Sequence, residues 1–225
     1  MTEELKEKIK QLVFSKKVEE AIKLVNRAIE EYNNDEDLYF NRGILYSMIN
    51  MHNESIEDFD KVIKLNPKNV EAYFNRGILK SKLKKYEESI ADFNKAIKLN
   101  PKNENAYFAV GLAKASLEKY EEAIVDFNEV IKLNPKNENA YFNRGFAKAS
   151  LEKYEEAIKD FNGVIKLNPK NENAYFNRGL AKTDLKRYKE AIKDFNEIIK
   201  LNPKNKEAYF NIGISNYKLE KYKES

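Results

Sequence analysis

Residues 138–171 read ENAYFNRGFAKASLEKYEEAIKDFNGVIKLNPKN. Two apolar patterns stand either side of a short break at Leu151-Glu-Lys-Tyr154. The first, over roughly 139–151, carries Ala140, Tyr141, Phe142, Gly145, Phe146, Ala147 and Leu151. The second, over roughly 155–167, carries Ala157, Ile158, Phe161, Val164, Ile165 and Leu167. Both follow helical spacing rather than the alternation of a strand. Asn168-Pro-Lys-Asn171 then stops the second helix, because proline disfavours helical geometry at the residue before it. Asn171 is placed to cap the helix that follows. The two helices are called A and B.

The same pattern recurs along the chain. All five prolines fall 34 residues apart, at Pro67, Pro101, Pro135, Pro169 and Pro203. Six of the seven glycines keep the same step: Gly43, Gly77, Gly111, Gly145, Gly179 and Gly213. A fixed period of this size means a repeat array. Full units are expected at 36–69, 70–103, 104–137, 138–171 and 172–205. Residues 2–35 form a degenerate unit in the same frame, with Ala21 and Ala28 kept and Ile9 in place of the glycine. Residues 206–225 form a partial unit. The whole is expected to be one array spanning 1–225, since a solenoid is a single extended body.

Composition removes several classes of function. The 225 residues hold no Cys and one His, so thiolate metal sites, Cys nucleophiles and sites needing two histidines are excluded. No Gly-rich loop follows a strand, no nucleophile–base set can be assembled, and no cofactor pattern is present. No apolar run approaches the roughly 20 residues of a transmembrane helix. The first residues lack a signal-peptide core, which makes a cytoplasmic location the expectation. The net charge of +4 is small beside 41 basic and 37 acidic residues, so neither nucleic acid nor membrane is expected as a partner.

A glycine inside a helix costs about 1 kcal/mol relative to alanine. Twelve residues after each one stands a small residue: Ser55, Ser89, Ala123, Ala157, Ala191 and Ser225. Close contact of A with B at these positions explains both. Tyr39 and Phe59 with their equivalents, and Val62, Ala96, Val130, Val164 and Ile198, would fill the rest of the seam. Arg42, Arg76, Arg144 and Arg178 precede their glycines, and sixteen residues later stand Asp58, Asp92, Asp160 and Asp194. A charge near the seam needs a partner, so an Arg–Asp pair is expected in each of these units. The degenerate unit has neither member (Lys8, Leu24), and the unit with Val110 keeps Asp126 alone.

The order Tyr141, Gly145, Tyr154, Ala157, Phe161, Val164 and Pro169 resembles the tetratricopeptide repeat (TPR) family over residues 2–225. Tyr stands where the family has Trp, and Arg where it has Leu before the glycine. The resemblance implies an all-α fold, an α-α superhelix: a right-handed solenoid of antiparallel helix pairs. It implies a concave groove lined by the A helices and, as its function, the binding of a protein partner, an extended peptide or a partner helix. It is not expected to be an enzyme, and no metal or cofactor is implied.

In unit 36–69 the groove face would be Asp37, Phe40, Asn41, Ile44, Ser47 and Met48, spaced as one helical face requires. Asn recurs there at Asn41, Asn75, Asn143, Asn177 and Asn211, and Phe at Phe74, Phe108, Phe142, Phe176 and Phe210. A carboxamide both donates and accepts. The row is similar to the asparagine ladder of the repeats of O-GlcNAc transferase, with Ala109 a missing rung. A repeated Asn can also simply satisfy the neighbouring helix, and a repeated Phe can belong to the core. The carboxylate clamp that binds chaperone tails is not expected: Phe40, Ile44, Asn105 and Ala109 stand where its Lys, Asn, Lys and Arg belong.

Lesser signals are His52, expected solvated in a turn, the basic stretch Lys80–Lys85, expected to be a wet turn, and the sequon Asn53-Glu-Ser55. Ser225 falls in mid-pattern of a B helix. That leads to the expectation of either a fragment or an apolar surface (Tyr209, Ile212, Tyr217) open to self-association. Two classes therefore stay open: a peptide-binding scaffold, or a self-assembling array or recognition arm of a larger enzyme.

Overall fold

The computed structural model describes residues 2–224, with side chains to residue 220. Among the described residues there are thirteen helices and no strand. The chain divides into two compact units, Met1–Ala113 and Lys114–Ser225.

The first unit holds α1 (Glu3–Phe14), α2 (Val18–Glu31), α3 (Glu36–Met48), α4 (His52–Leu65), α5 (Val70–Lys82), α6 (Tyr86–Leu99) and most of α7 (Glu104–Ser116). From α1 to α6 each helix packs on the next. The second unit holds α8 (Tyr120–Leu133), α9 (Glu138–Ser150), α10 (Tyr154–Leu167), α11 (Glu172–Asp184), α12 (Tyr188–Leu201) and α13 (Lys206–Glu224). Here too each helix packs on the next, and α9 also touches α11. Odd-numbered helices are the A type and even-numbered ones the B type.

The linkers show why the helices stop and restart where they do. In Asn168-Pro-Lys-Asn171 the Asn168 Oδ1 accepts from the Lys170 amide at 3.2 Å, turning the chain after Pro169. Asn171 Oδ1 accepts from the Ala174 amide at 2.9 Å and caps α11. Asn69, Asn137 and Asn205 cap α5, α9 and α13 by the same bond, at 2.9, 2.9 and 3.0 Å. The first residue of helix A then ties the loop down: Asn168 and Asn171 both donate to Glu138, and Asn202 and Asn205 both donate to Glu172.

The core is the A–B seam. Phe59, Phe93, Phe127, Phe161 and Phe195 are essentially sealed, as are Val62, Ala96, Val130, Val164 and Ile198. Burying one such ring contributes about 2–3 kcal/mol. The glycines face these rings. A Cβ on Gly77 would lie 2.6 Å from Phe93 Cε1, and one on Gly179 would lie 2.7 Å from Phe195 Cε1. The tightest neighbour is therefore the phenylalanine sixteen residues on, not the small residue twelve on that the sequence suggested. The small residue has a separate part in unit 36–69, where Ser55 Oγ donates to the Gly43 carbonyl at 2.6 Å. That bond also buries the serine of the Asn53 sequon.

Three further expectations change. His52 is not in a turn: it opens α4, is only partly exposed, and its Nδ1 is buried with no hydrogen-bond partner among the described residues. Lys80 is not part of a wet turn, since its ammonium lies 2.9 Å from Asp92 Oδ2. Ile212 is not exposed, because it packs against the cluster of Ala191, Phe195, Ile198 and Ala208. Ser225 lies outside the described residues.

Candidate functional site

Two sets of side chains repeat with the helices: one inside the seam, one on the A-helix face. The seam set is ionic. Arg42, Arg76, Arg144 and Arg178 each grip the expected aspartate with two nitrogens. Nε donates to Oδ2 of Asp58, Asp92, Asp160 and Asp194 at 2.8, 2.9, 3.0 and 3.0 Å, and Nη2 donates to Oδ1 of the same residue. Such forked pairing fixes geometry as well as charge. Nη1 reaches in the other direction, to Asn26, Asp60, Asn128 and Asn162 on the preceding B helix, at 2.8, 2.5, 2.7 and 2.6 Å. The guanidinium also lies over the tyrosine three residues before it, 5.3–5.6 Å from the ring centre of Tyr39, Tyr73, Tyr141 or Tyr175.

A second cation completes most of these sites. Lys80, Lys148 and Lys182, four residues after the arginine, place their ammonium 2.8–2.9 Å from the same aspartate. Where Val110 replaces arginine, Lys114 alone meets Asp126, at 2.8 Å. Burial pushes the Asp126 carboxyl up, Lys114 pulls against it, and Glu122 adds to the rise. Asp58 is also pushed up by burial, with Arg42 opposing. Arg76 is held above its ordinary value although burial works against it, because Asp92 and Asp60 both accept from it. Each of the four arginines joins its own B helix to the preceding one through these bonds, so the set ties helices together.

The A-helix face is different. Asn41 and Asn75 lie at one register position of α3 and α5 in the first unit. Asn143, Asn177 and Asn211 hold that position in α9, α11 and α13 of the second. All five are half-exposed. Each Nδ2 donates to its own helix, to the carbonyl of Asp37, Glu71, Asn139, Asn173 or Glu207, at 2.7–2.8 Å. One amide hydrogen is thereby spent, and the plane of each carboxamide is pinned.

The phenylalanines beside them are largely packing elements. Phe74, Phe142 and Phe176 stand edge-on or tilted against Phe93, Phe161 and Phe195, with ring centres 5.6, 5.8 and 6.0 Å apart. They and Phe108 are half-buried, while Phe210 is 69% exposed. Other exposed large apolar side chains on the A helices are Phe14, Met48, Leu112, Phe146, Tyr209 and Tyr217. Among the described residues no helix is long and apolar enough to cross a membrane, and no cluster of three or more potential metal ligands occurs.

The tetratricopeptide repeat model matches residues 36–69, 70–103 and 172–205, and a second TPR repeat model matches 112–151 and 147–182. The chain belongs to the tetratricopeptide repeat family. No curated protein matches it. Solved structures similar to this TPR chain include YrrB, reported as a TPR protein with an unusual peptide-binding site. It is 24% identical with a TM-score of 0.73, over 83% of this chain and 96% of that one. MamA from Desulfovibrio magneticus RS-1 is 20% identical with a TM-score of 0.72, over 76% of this chain and 97% of that one. A TPR protein from Parabacteroides merdae ATCC 43184 is 19% identical with a TM-score of 0.69, over 95% and 98%. At these identities the likeness is one of fold.

The sequence missed the third partner of each arginine and the added lysine. The signal for both was present. Asn or Asp stands sixteen residues before every one of the four arginines, and Lys stands four residues after three of them.

Proposed function

We propose that this TPR chain is a non-catalytic scaffold that holds an extended peptide or a partner helix along its A-helix faces. The observation that carries this reading is the pinned carboxamide. Each Asn spends one N–H on its own helix and so presents Oδ1 and the second N–H in a fixed direction, with little rotamer entropy left to lose on binding. Groups of this kind suit a partner's backbone amides, which offer the same donor and acceptor whatever the side chains. The half-exposed Phe142 and Phe176 supply apolar edges beside them. YrrB, with the same fold, is reported to have a peptide-binding site, which supports placing a ligand on a fold of this type.

The experiment is affinity capture from the source cell with the wild-type chain and with Asn143→Ala/Asn177→Ala, followed by mass spectrometry and titration of the recovered partner. The expected result is a loss of affinity of about tenfold or more at unchanged helicity and nearly unchanged melting temperature. A variant that recovers the same partner with wild-type affinity overturns the role of the carboxamides.

A further inference from the structure

Six glycines keep the 34-residue step; the seventh, Gly163, does not. It lies inside α10, at a register position where the other full units hold Lys61, Lys95, Glu129 and Glu197. A Cβ there would lie 3.2 Å from Tyr141 Cδ1. Tyr39 and Tyr73 hold the equivalent place beside Lys61 and Lys95, whose ammonium groups lie 5.5 and 5.9 Å from the ring centres. The packing therefore accepts a side chain at this position and does not call for a glycine.

What Gly163 changes is the chemistry of the residue before it. Asn162 is the one asparagine of the sequence that a glycine follows. The carboxamide carbon of an asparagine is open to attack by the backbone nitrogen of the next residue, and glycine has no Cβ to hinder the ring closure. Asn162 is exposed, so solvent base and water reach it. The helix opposes the reaction: inside α10 the Gly163 N–H is engaged by the carbonyl four residues before it, and helical dihedrals hold its nitrogen away from Cγ. A glycine in mid-helix also weakens that restraint.

The structure holds the aspartate form of this position in another unit. Asn162 Oδ1 accepts from Arg178 Nη1 at 2.6 Å, and Asp60, at the same register position, accepts from Arg76 Nη1 at 2.5 Å. Lys166, four residues after Asn162, would add a second counter-charge on the helix surface.

We propose that Asn162-Gly163 is a deamidation site, gated by local opening of α10, whose aspartate product turns the tie between α10 and α11 from a neutral hydrogen bond into an ion pair. The Gly163 nitrogen gives up its proton and bonds to Asn162 Cγ, and the carboxamide nitrogen leaves with that proton as ammonia. One water then opens the succinimide ring. Cleavage at Cγ yields aspartate in an unaltered main chain; cleavage at the Asn162 carbonyl carbon yields isoaspartate. The sum is one water consumed and one ammonia released, with no change of oxidation state. Aspartate fits the place that Asp60 fills, whereas isoaspartate adds a main-chain atom and breaks the hydrogen-bond register of α10.

The test holds the 225-residue chain at mildly alkaline pH, folded in buffer and unfolded in guanidinium chloride, and maps its peptides by mass. Asn162 should be the first asparagine converted, seen as the mass increase of NH2 replaced by OH, and conversion should slow as denaturant is withdrawn. Gly163→Glu, which installs the residue type of Glu129 and Glu197, should lose the conversion over the same incubation. It should do so in denaturant as well as in buffer, which separates ring closure from mere firming of the helix. Asn162→Asp, made directly, should keep wild-type helicity and a urea midpoint no lower than wild type at neutral pH and low salt. Another asparagine converting ahead of Asn162 in the folded chain, conversion as fast in buffer as in denaturant, Gly163→Glu converting like wild type, or Asn162→Asp melting below wild type overturns the proposal.

Discussion

Asp58, Asp92, Asp126, Asp160 and Asp194 occupy one register position in successive B helices, each nearly sealed, yet they keep different company. Asp160 accepts from Arg144 and lies 2.9 Å from Lys148, whereas Asp126 has Lys114 alone and burial pushes its carboxyl up. Asp160→Asn leaves the half-buried Arg144 without a counter-charge, while Lys148 keeps only Glu156 at 3.5 Å, and should cost about 3 kcal/mol. Asp126→Asn removes a carboxylate that burial disfavours, while Lys114 keeps Glu122 at 3.6 Å. Its neutral-pH stability should lie between no change and a gain of about 1 kcal/mol. The pH dependence follows from the sign of the shift. A raised folded-state value stabilises the native chain below the ordinary carboxyl value of 3.8, and that contribution is lost as pH rises through the folded value. Any advantage of Asp126→Asn is therefore full at neutral pH and vanishes in acid. Urea melts of both variants at neutral pH and near pH 3 check this. Equal damage from the two substitutions at neutral pH would show that Lys114 serves Asp126 as fully as Arg and Lys together serve Asp160.

At the scale of the element, the helices, the caps and the place of the break at 151–154 were legible, and the left-handed conformation of the turn was not. The expected helices over roughly 139–151 and 155–167 are α9 Glu138–Ser150 and α10 Tyr154–Leu167, because apolar periodicity and Asn-Pro-Lys-Asn are both local signals. The pairing of Arg with Asp was legible because the spacing of sixteen recurs. Its extension to Asn26, Asp60, Asn128 and Asn162 was missed although the same spacing of sixteen carries it, because it crosses from one repeat to the one before. The conformation of the turns carries no such signal. Lys16, Asn50, Lys84, Glu118, Glu152 and Lys186 take positive φ, and none is glycine. Identical Leu-Glu-Lys-Tyr stretches turn at 151–154 and are helical at 219–222, so the tetrapeptide alone does not dictate the bend. The turn residue therefore carries strain that packing outweighs. Glu152→Gly relieves that strain and should raise stability by about 0.5–1 kcal/mol after the extra entropy of the unfolded chain is subtracted. A urea midpoint that falls instead would mean that the Glu152 side chain contributes more than its backbone costs.

Across the whole molecule, stability is a sum of repeat terms and nearest-neighbour terms, and the arginines are the most distinct neighbour term. Each bridges its own B helix and the one before: Arg42 joins α2 to α3 and α4, Arg76 joins α4 to α5 and α6, and Arg144 and Arg178 do the same in the second unit. At the α6–α7 junction the register positions hold Asn94 and Val110, and valine has no donor to offer. Apolar burial is still complete there, with Val110 and Ala106 sealed. What is missing is directional: the hydrogen bonds that make opening one interface break a charge pair in the next. Native-state hydrogen exchange should therefore show α7 opening at a free energy about 1–3 kcal/mol below that of α9 and α11, the worth of hydrogen bonds to a charged group. Equal protection of α7, α9 and α11 would mean that apolar burial alone couples the repeats and that the arginine ties add geometry without energy.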